Sequence, residues 1–584
     1  MKTKSLILAG LAVLALVSCN KEKNESPFSE NGDSAYLAVK IAYANGAATR
    51  ATGTTDEGFI YGDDNENELA TNKADFFFYM EDGAFFQHVT QTIETSEIHA
   101  GESATYNDNV EEYINGIVVL KGLTSTKSPK YMAVVLNGSS DLIADLDRQS
   151  MTEAHKVIED DHFATETSGV WSNFTMTNST YEDSKENVGD NYCAVLTNDM
   201  FKTSEAAAAA ETNNDVAVAY VERIAAKVTL TIASTLTPAT VGTTTAYKVD
   251  DFELNNSGTK TALYAKIIGW GLNGTEKTSY AFKNIKSTTD WTTTTDGVVG
   301  FDWNVKEYHR SYWAMSTNYG LDTYYYPRTF GNDSGNDYST YNAAPTKYPM
   351  PLNYYSYNDC KVDLGSNSYC RENTNTKAIL DANNFNTTAT CVLLTAQIVD
   401  ATGTAKTLYL YENKYWDENS YLNRVLAKYV SNVYEDNAQA TPVKLSDLSI
   451  VNAYDGLVYV EFNTLNKYYD KDGNAISADD LDKILNRERT EAVCYNNGMM
   501  YYSIPIEHLR KTGTFAAGTY MEADYGVVRN HWYKLEISKI ANLGHGVYDS
   551  SEKIVPDDND TKKYYVAAKI NILSWNVVKQ SVEL

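Results

Sequence analysis

Few residues in this chain have the type and spacing that chemistry needs. The eight histidines, His88, His99, His155, His162, His309, His508, His531 and His545, are scattered. His155 and His162 share a helical face at i, i+7, yet two imidazoles without a third ligand fit a surface better than a zinc site. No H-E-x-x-H, Walker A or G-x-S-x-G pattern occurs, so the sequence offers no catalytic constellation, no metal site and no cofactor site. Asp470-Lys471-Asp472-Gly473-Asn474 starts like a calcium loop. Its glycine is fourth where an EF-hand needs it sixth, and Leu481 stands where a bidentate Glu belongs, so the segment reads as a hairpin turn. Cys19, Cys193, Cys360, Cys370, Cys391 and Cys494 contain no C-x-x-C pair, which excludes ribbon-type zinc and thioredoxin-type redox chemistry. Cys360 and Cys370 are near enough in sequence to bridge a loop, a matter that geometry decides.

Two positions near the N-terminus do suggest covalent processing. Lys2 and Lys4 precede the apolar run Leu6–Val17, which has the length of a signal-peptide core and is too short to span a bilayer. The run ends in Leu16-Val17-Ser18-Cys19, which resembles the lipobox of bacterial lipoproteins and makes Cys19 the expected lipidation site. A polar tether follows, and then Tyr36–Tyr43 alternates, with Leu37, Val39, Ile41 and Tyr43 on one face, as in a half-buried strand. Arg50 is the only arginine before Arg148. It sits in a stretch of small polar residues, Asn45–Thr55, composed like an accessible loop. Cleavage between Arg50 and Ala51 by an Arg-specific protease is one reading of that loop; a plain linker is the other.

The elements around these positions read as mainly β. Tyrosine is abundant at 45 and proline scarce at 10, a balance that favours strands. Strands are expected at 74–80, 117–120, 131–137, 221–232, 252–270, 389–399, 407–411, 501–506 and 531–537, with a hairpin turn at Glu81-Asp82-Gly83. Helices are expected within 142–160, near 206–210 and at 421–430. Thr235–Thr245 is unpatterned and suggests a domain boundary near 240. Tyr324–Tyr357 holds nine tyrosines without a strand period; it is either an exposed recognition surface or a loop that packs its own rings. The net charge of −28 excludes nucleic acid as a partner, since phosphate binding needs clustered Lys and Arg.

Several of these segments, in order, resemble the fimbrillin family of the Bacteroidales, the subunits of type V pili, with the nearest likeness to the minor-fimbrium Mfa-type shaft subunit. They are the lipobox at Cys19, the strand 36–43 followed by Arg50, the run Val221-Glu222-Arg223-Ile224-Ala225-Ala226-Lys227-Val228, the run Val527-Val528-Arg529-Asn530-His531-Trp532-Tyr533-Lys534-Leu535, and the ending Ile570-Asn571-Ile572-Leu573-Ser574-Trp575-Asn576-Val577. The family commonly has Pro where Ser574 stands. Residues 255–500 carry little that is diagnostic.

The resemblance implies two transthyretin-like β-sandwich domains with a few short helices and long loop insertions. The implied parts are a signal peptide 1–19, a propeptide 20–50 with a removable strand, an N-terminal domain 51–240, a C-terminal domain 241–563 and a C-terminal donor strand 564–584. It also implies a lipidated outer-membrane precursor that is cut after Arg50 and then polymerises as an extracellular fimbrium. The partners would be other copies of the chain, accessory fimbrial subunits and surface receptors. Two observations bear on this from the residues alone. Removing Leu37, Val39, Ile41 and Tyr43 would uncover apolar surface worth on the order of 6–12 kcal/mol. Val566, Ala568, Ile570 and Ile572 repeat that alternation, while Leu573, Trp575 and Val577 continue it on the other parity, as across a bulge. A tip adhesin, an anchor subunit and a glycan-binding surface lipoprotein are the competing readings.

Overall fold

The computed structural model describes residues 32–44, 68, 70–94, 98–100, 110–124, 126–179, 192–211, 216–284, 314–320, 352–376, 378, 389–463, 467–508, 525–555 and 576–583. Cys19, Arg50, Ala51 and most of the tail, Val566, Ala568, Ile570, Ile572, Leu573 and Trp575, lie outside these residues. The described part is mainly β with a few short helices, as the composition predicts. No helix among the described residues is long and apolar enough to cross a membrane.

The first half is built on one ten-stranded sheet. Its main path runs Phe85–Thr92, Lys73–Tyr79, Tyr131–Leu136, Met176–Asn178, Ala217–Arg223, Asp33–Ala44, Val110–Leu123, Ile98–Ala100. The sheet curls until Phe85–Thr92 meets Val110–Leu123. Gln91 Nε2 donates to the Ile117 carbonyl at 2.7 Å, and Lys121 N donates to Gln87 Oε1 at 3.0 Å. Inside the curl, Phe76, Phe78, Met132, Val134 and Leu136 pack with Leu37, Val39, Ile41, Ile114, Val118 and Leu120. The other face of Lys73–Tyr79 is buried too. Phe77 and Tyr79 pack with Ala133 and Val135 against Leu142, Ile143 and Leu146, which explains a continuous aromatic run where a half-exposed strand would alternate. The single helix expected within 142–160 is two, Ser140–Leu146 and Met151–Ala154. Ser139 and Ser150 each cap a start, and Arg148 at φ 62° breaks the chain between them.

The second half is a sandwich. One layer orders Asn367–Arg371, Ala225–Ile232, His531–Lys539, Asn576–Glu583; the other orders Ala239–Val241, Thr244–Glu253, Lys260–Asn273, Cys391–Val399, Met499–Pro505, His545–Gly546. Val228, Leu230, Leu535 and Ile537 meet Leu263, Trp270, Leu394 and Ile504 between the layers. The run 221–232, expected as one strand, is two. Ala217–Arg223 belongs to the first sheet and Ala225–Ile232 to the second, with Ile224 between. Strand membership therefore changes at Ile224. The unpatterned stretch near 240, expected as the boundary, lies inside the second set of sheets.

Cys360 and Cys370 are both free and buried, in different clusters, so no bridge closes that loop. At the end of the Tyr-rich segment, Tyr354 and Tyr357 are buried, the latter with Cys360, Leu393 and Tyr501; residues 321–351 lie outside the described part. Between Cys391–Val399 and Met499–Pro505, which pair directly with each other, the chain makes a five-stranded sheet of its own. That sheet has a separate core of Tyr409, Tyr421, Val425, Val458, Val460, Phe462 and Tyr468. The Asp470 loop within it is a turn: Asp470 Oδ1 accepts from Asp472 N and Asn474 N at 2.8 and 2.9 Å, and Gly473 takes φ 80°.

The two halves are interlocked by a plug. Ser279–Tyr280 pairs with Ile158–Glu159 of the first half. Ala281 and Phe282 then enter the cluster of Phe77, Leu142, Leu146 and Tyr192, the rings of Phe282 and Tyr192 lying 4.2 Å apart. Phe282→Ala is therefore expected to lower stability by about 3–5 kcal/mol although the residue follows the junction in sequence. Urea unfolding measures this; a loss below about 1 kcal/mol would show that the plug contributes little to the first core.

Candidate functional site: the leader-strand slot

The strand Asp33–Ala44 lies in the interior of the first sheet with a different neighbour on each side. Val110–Leu123 pairs with it antiparallel, from Asp33↔Leu123 to Ala44↔Val110. On the other side Phe201–Lys202 pairs antiparallel with Leu37 and Tyr36, and Ala217–Arg223 pairs parallel from Val39↔Ala217 to Tyr43↔Val221. Its alternation does what the pattern predicts. Ala35, Leu37, Val39 and Ile41 point into the core and are at most 2% exposed, while Tyr36 and Lys40 are half-buried on the opposite face. The description of Tyr43 extends only to its backbone pairing.

The walls are narrow where the strand is wide. Val39 faces Gly116 on one side and Ala217 on the other, and Ile41 faces Ala219. Small residues leave room for the branched side chains between them, and because side chains alternate, a one-residue slip would turn all of them outward. Burial of Leu37, Val39 and Ile41 is worth about 5–9 kcal/mol together. The parallel wall is unevenly held. Val221, Glu222 and Arg223 also pair with Met176–Asn178, and Ser179 N donates to Tyr220 O at 2.9 Å. Among the described residues, Ala217–Ala219 have the leader strand as their only sheet partner.

Below the slot, the two sequence runs 221–228 and 527–535 come together. Ala225–Ile232 and His531–Lys539 pair in parallel with Lys227 opposite Trp532. Lys227 Nζ is 2.8 Å from Glu68 Oε1 and lies 3.9 Å from the Trp532 ring centroid, with Lys534 Nζ at 3.5 Å from the same ring. Tyr369 Oη donates to Glu68 at 2.6 Å, and Arg223 Nε to the Glu68 carbonyl at 3.3 Å. Fully buried Arg529 pairs with Glu372 and donates to the carbonyls of Tyr280 at 2.7 Å and Ala281 at 3.3 Å. Lys283 and Glu222, both with side chains 0% exposed, are 2.8 Å apart. Burial pushes the Glu222 carboxyl up and the Lys283 ammonium down. It also holds His531 down at about 3, so that this ring is neutral beside its cationic neighbours. Sequence reasoning noticed these runs only as motifs. The missed signal was charge inside otherwise apolar runs: Glu222, Arg223, Lys227 and Arg529 are all buried.

The tail enters this picture through Val577. Asn576–Glu583 pairs in parallel with the free edge of His531–Lys539, with Val577 opposite Trp532. His155 and His162, considered as ligands, are separately engaged: His155 Nε2 contacts the Lys283 carbonyl at 3.1 Å and His162 contacts Asp161. No cluster of three metal-ligating residues occurs among the described residues.

Comparison with known proteins follows the same motifs. Residues 493–581 match the family model described as "Major fimbrial subunit protein type IV, Fimbrillin, C-terminal". The matched region contains Arg529, His531 and Trp532 and most of the tail strand, and it supports the fimbrillin assignment and a fimbrial-subunit role at the cell surface. No curated protein sequence matches the chain. Among solved structures, a candidate cell adhesion protein from Parabacteroides distasonis overlaps 94% of this chain and 99% of its own at 11% identity and TM-score 0.31. The tip fimbrial protein Mfa3 from Porphyromonas gingivalis, C-terminally truncated, overlaps 63% and 80% at 9% identity and TM-score 0.27. A fimbrial assembly protein from Parabacteroides distasonis overlaps 65% and 90% at 11% identity and TM-score 0.25. At these TM-scores the overlaps carry no argument.

The segment leading to the plug carries a titratable group. Glu276 accepts a hydrogen bond from Asn318 Nδ2, and burial pushes its carboxyl up to about 8. The folded state thus holds this proton more tightly than the unfolded chain, so the contribution is present below the ordinary value of 4.5 and is lost as pH rises to about 8. Glu276→Gln keeps the acceptor for Asn318 without the charge. The urea midpoint of this variant is expected to fall less steeply between pH 5 and 8 than that of the wild type. Part of the slope remains through Glu552, pushed up to about 7. An unchanged slope would show that Glu276 does not titrate in that window.

Proposed function

We propose that this chain is a shaft subunit of a cell-surface fimbrium that polymerises by strand exchange. Removal of the leader through cleavage after Arg50 opens the slot between Val110–Leu123 and Ala217–Arg223, and the tail 564–584 of another copy fills it. The single observation that carries the reading is the placement of Asp33–Ala44. A strand at the very start of the described chain occupies an interior position of the sheet, and an Arg-containing stretch of small polar residues follows it directly in sequence. Strand addition suits such a gap, because the main chain supplies affinity and side-chain pockets supply register. Acylation of Cys19 would keep the precursor at the outer membrane until cleavage. The partners are then further copies and accessory fimbrial subunits, an Arg-specific protease during maturation, and a surface receptor of the host or of another bacterium.

A second reading has its own observation. Asn576–Glu583 pairs with the edge of its own half, which suits a subunit that accepts a strand but donates none, as at a fimbrial tip. A chain truncated before Tyr564 separates the two. As a shaft subunit it is expected to fold with an unchanged thermal transition, to be cut, with Ala51 as its new N-terminus, and to form no fibres. As a tip subunit it loses an edge strand of its own sandwich and melts many degrees lower. Mass spectrometry of fibres from the full chain that found an acylated Cys19 as the N-terminus instead of Ala51 would end both readings in favour of a lipid-anchored subunit.

A further inference from the structure

Among the described residues, removing the leader strand leaves one wall of its slot with few sheet partners. Val110–Leu123 remains paired with Ile98–Ala100 and bonded by Gln87 and Gln91. Among the described residues, Ala217–Ala219 keep no sheet partner, and the rest of that wall is held by Met176–Asn178 and by the Ser179 N–H on the Tyr220 carbonyl. A strand held at one end frays, and a frayed wall presents no register to an incoming strand.

The held end is where the plug attaches. Glu222, next to the last residue of the wall, is bound by Lys283 at 2.8 Å. Lys283 is fixed in turn by its neighbours. Its carbonyl meets His155 Nε2 at 3.1 Å, the Ala281 carbonyl accepts from Thr177 Oγ1 at 2.7 Å and from Arg529 Nη1 at 3.3 Å, and the Tyr280 carbonyl accepts from Arg529 Nη2 at 2.7 Å. Thr177 lies opposite Glu222 on the neighbouring strand. The plug therefore grips both the wall and the strand behind it, and Arg529, anchored on Glu372, fastens the plug to the second half.

We infer that the plug Ser279–Lys283, through the Lys283–Glu222 pair, is the positioning device that keeps Ala217–Arg223 in place after the leader strand departs. This rests on the strand-exchange reading above. In the uncut chain the leader strand supports the same wall from its other side, so the device is redundant there and becomes decisive only after cleavage. Glu222 and Lys283 touch no incoming side chain; they act through the wall.

The test compares the wild type with the double variant Glu222→Met/Lys283→Met, which replaces a buried ion pair by apolar side chains of similar length, a change that folded proteins often tolerate. Uncut, the two chains are expected to melt within a few degrees of each other. After cutting by an Arg-specific protease, the amides of Ala217–Tyr220 in the variant are expected to exchange at least about tenfold faster than in the wild type. Affinity for a synthetic peptide of residues 564–584 is expected to fall by about tenfold or more. Equal protection and equal affinity after cutting would overturn the inference, and so would loss of protection already present in the uncut variant. If the uncut double variant does not fold, Thr177→Val, which deletes only one bond to the plug, carries the same comparison with a smaller expected change. If the cut wild type binds no peptide, strand exchange itself fails, while hydrogen exchange still decides whether the plug holds the wall.

Discussion

The architecture depends on a set of charges taken out of water between its two halves. Lys227 with Glu68, Lys283 with Glu222 and Arg529 with Glu372 are all essentially unexposed. Desolvating such pairs offsets much of their attraction, so they add little to stability compared with apolar packing. What they add is geometry. Breaking such a pair leaves a buried charge without its counter-ion, so the halves cannot slide against each other without a cost of several kcal/mol. Each pair joins segments distant in sequence, residue 68 to 227, 222 to 283, and 372 to 529. The first two pairs tie the first half to the second; the third lies within the second half, where Arg529 reaches the plug through the Tyr280 and Ala281 carbonyls.

That fixing explains why the two sequence runs that read only as motifs are rich in charge. In a free-standing strand, Glu222 and Arg223 at consecutive positions would put one charge on each face. Here both are buried, because the strand ends at the junction and Ile224 turns the chain into the second sheet. Trp532 completes the arrangement. With Lys227 and Lys534 within 4 Å of its ring centroid, it holds two cations close together through the ring's negative faces.

Legibility followed the range of the interactions. The leader strand, the hairpin at Glu81-Asp82-Gly83 and the strands at 131–136, 391–399 and 531–539 were readable, because each buries one or both faces along its whole length and its periodicity survives. The capped helix at 205–209 was readable for the same local reason: Ser204 accepts from Ala207 N. The break at Ile224 was not. Both flanking strands are buried on their inner faces, and nothing local distinguishes a change of sheet from a continuing run. Of the inserted layer between Val399 and Met499 only the strand at 407–411 and the helix at 421–430 were read, because membership in a distinct core is a matter of which strands pair. The plug was invisible: Ala281-Phe282-Lys283 is an ordinary tripeptide until the pairing of Ser279–Tyr280 with Ile158–Glu159 carries it into the other half. Of the candidate site, the inward residues of the leader strand were legible and its walls were not, since Gly116, Ala217 and Ala219 mean nothing until they face Val39 and Ile41.

Those small residues also bear on polarity. The slot has one antiparallel wall and, over Ala217–Arg223, one parallel wall. A strand entering in the direction of the leader restores that combination. A strand entering in the opposite direction would be parallel to Val110–Leu123 and antiparallel to Ala217–Arg223, again one of each. Parallel and antiparallel pairing differ only slightly in stability per residue, so backbone hydrogen bonding does not choose between the two directions. The side chains can choose, because the slot is not symmetric along its length. The Leu37 position is flanked by Val118 and Phe201, the Val39 position by Gly116 and Ala217, and the Ile41 position by Ile114 and Ala219. The roomiest place is in the middle and the bulkiest flank is at the leader's N-terminal end. Reversal keeps a large residue in the middle but exchanges the Leu37 and Ile41 places, which have different neighbours. Direction in this slot is thus written in the order of side-chain volumes along the walls, and a strand of uniform side chains would bind without a defined polarity.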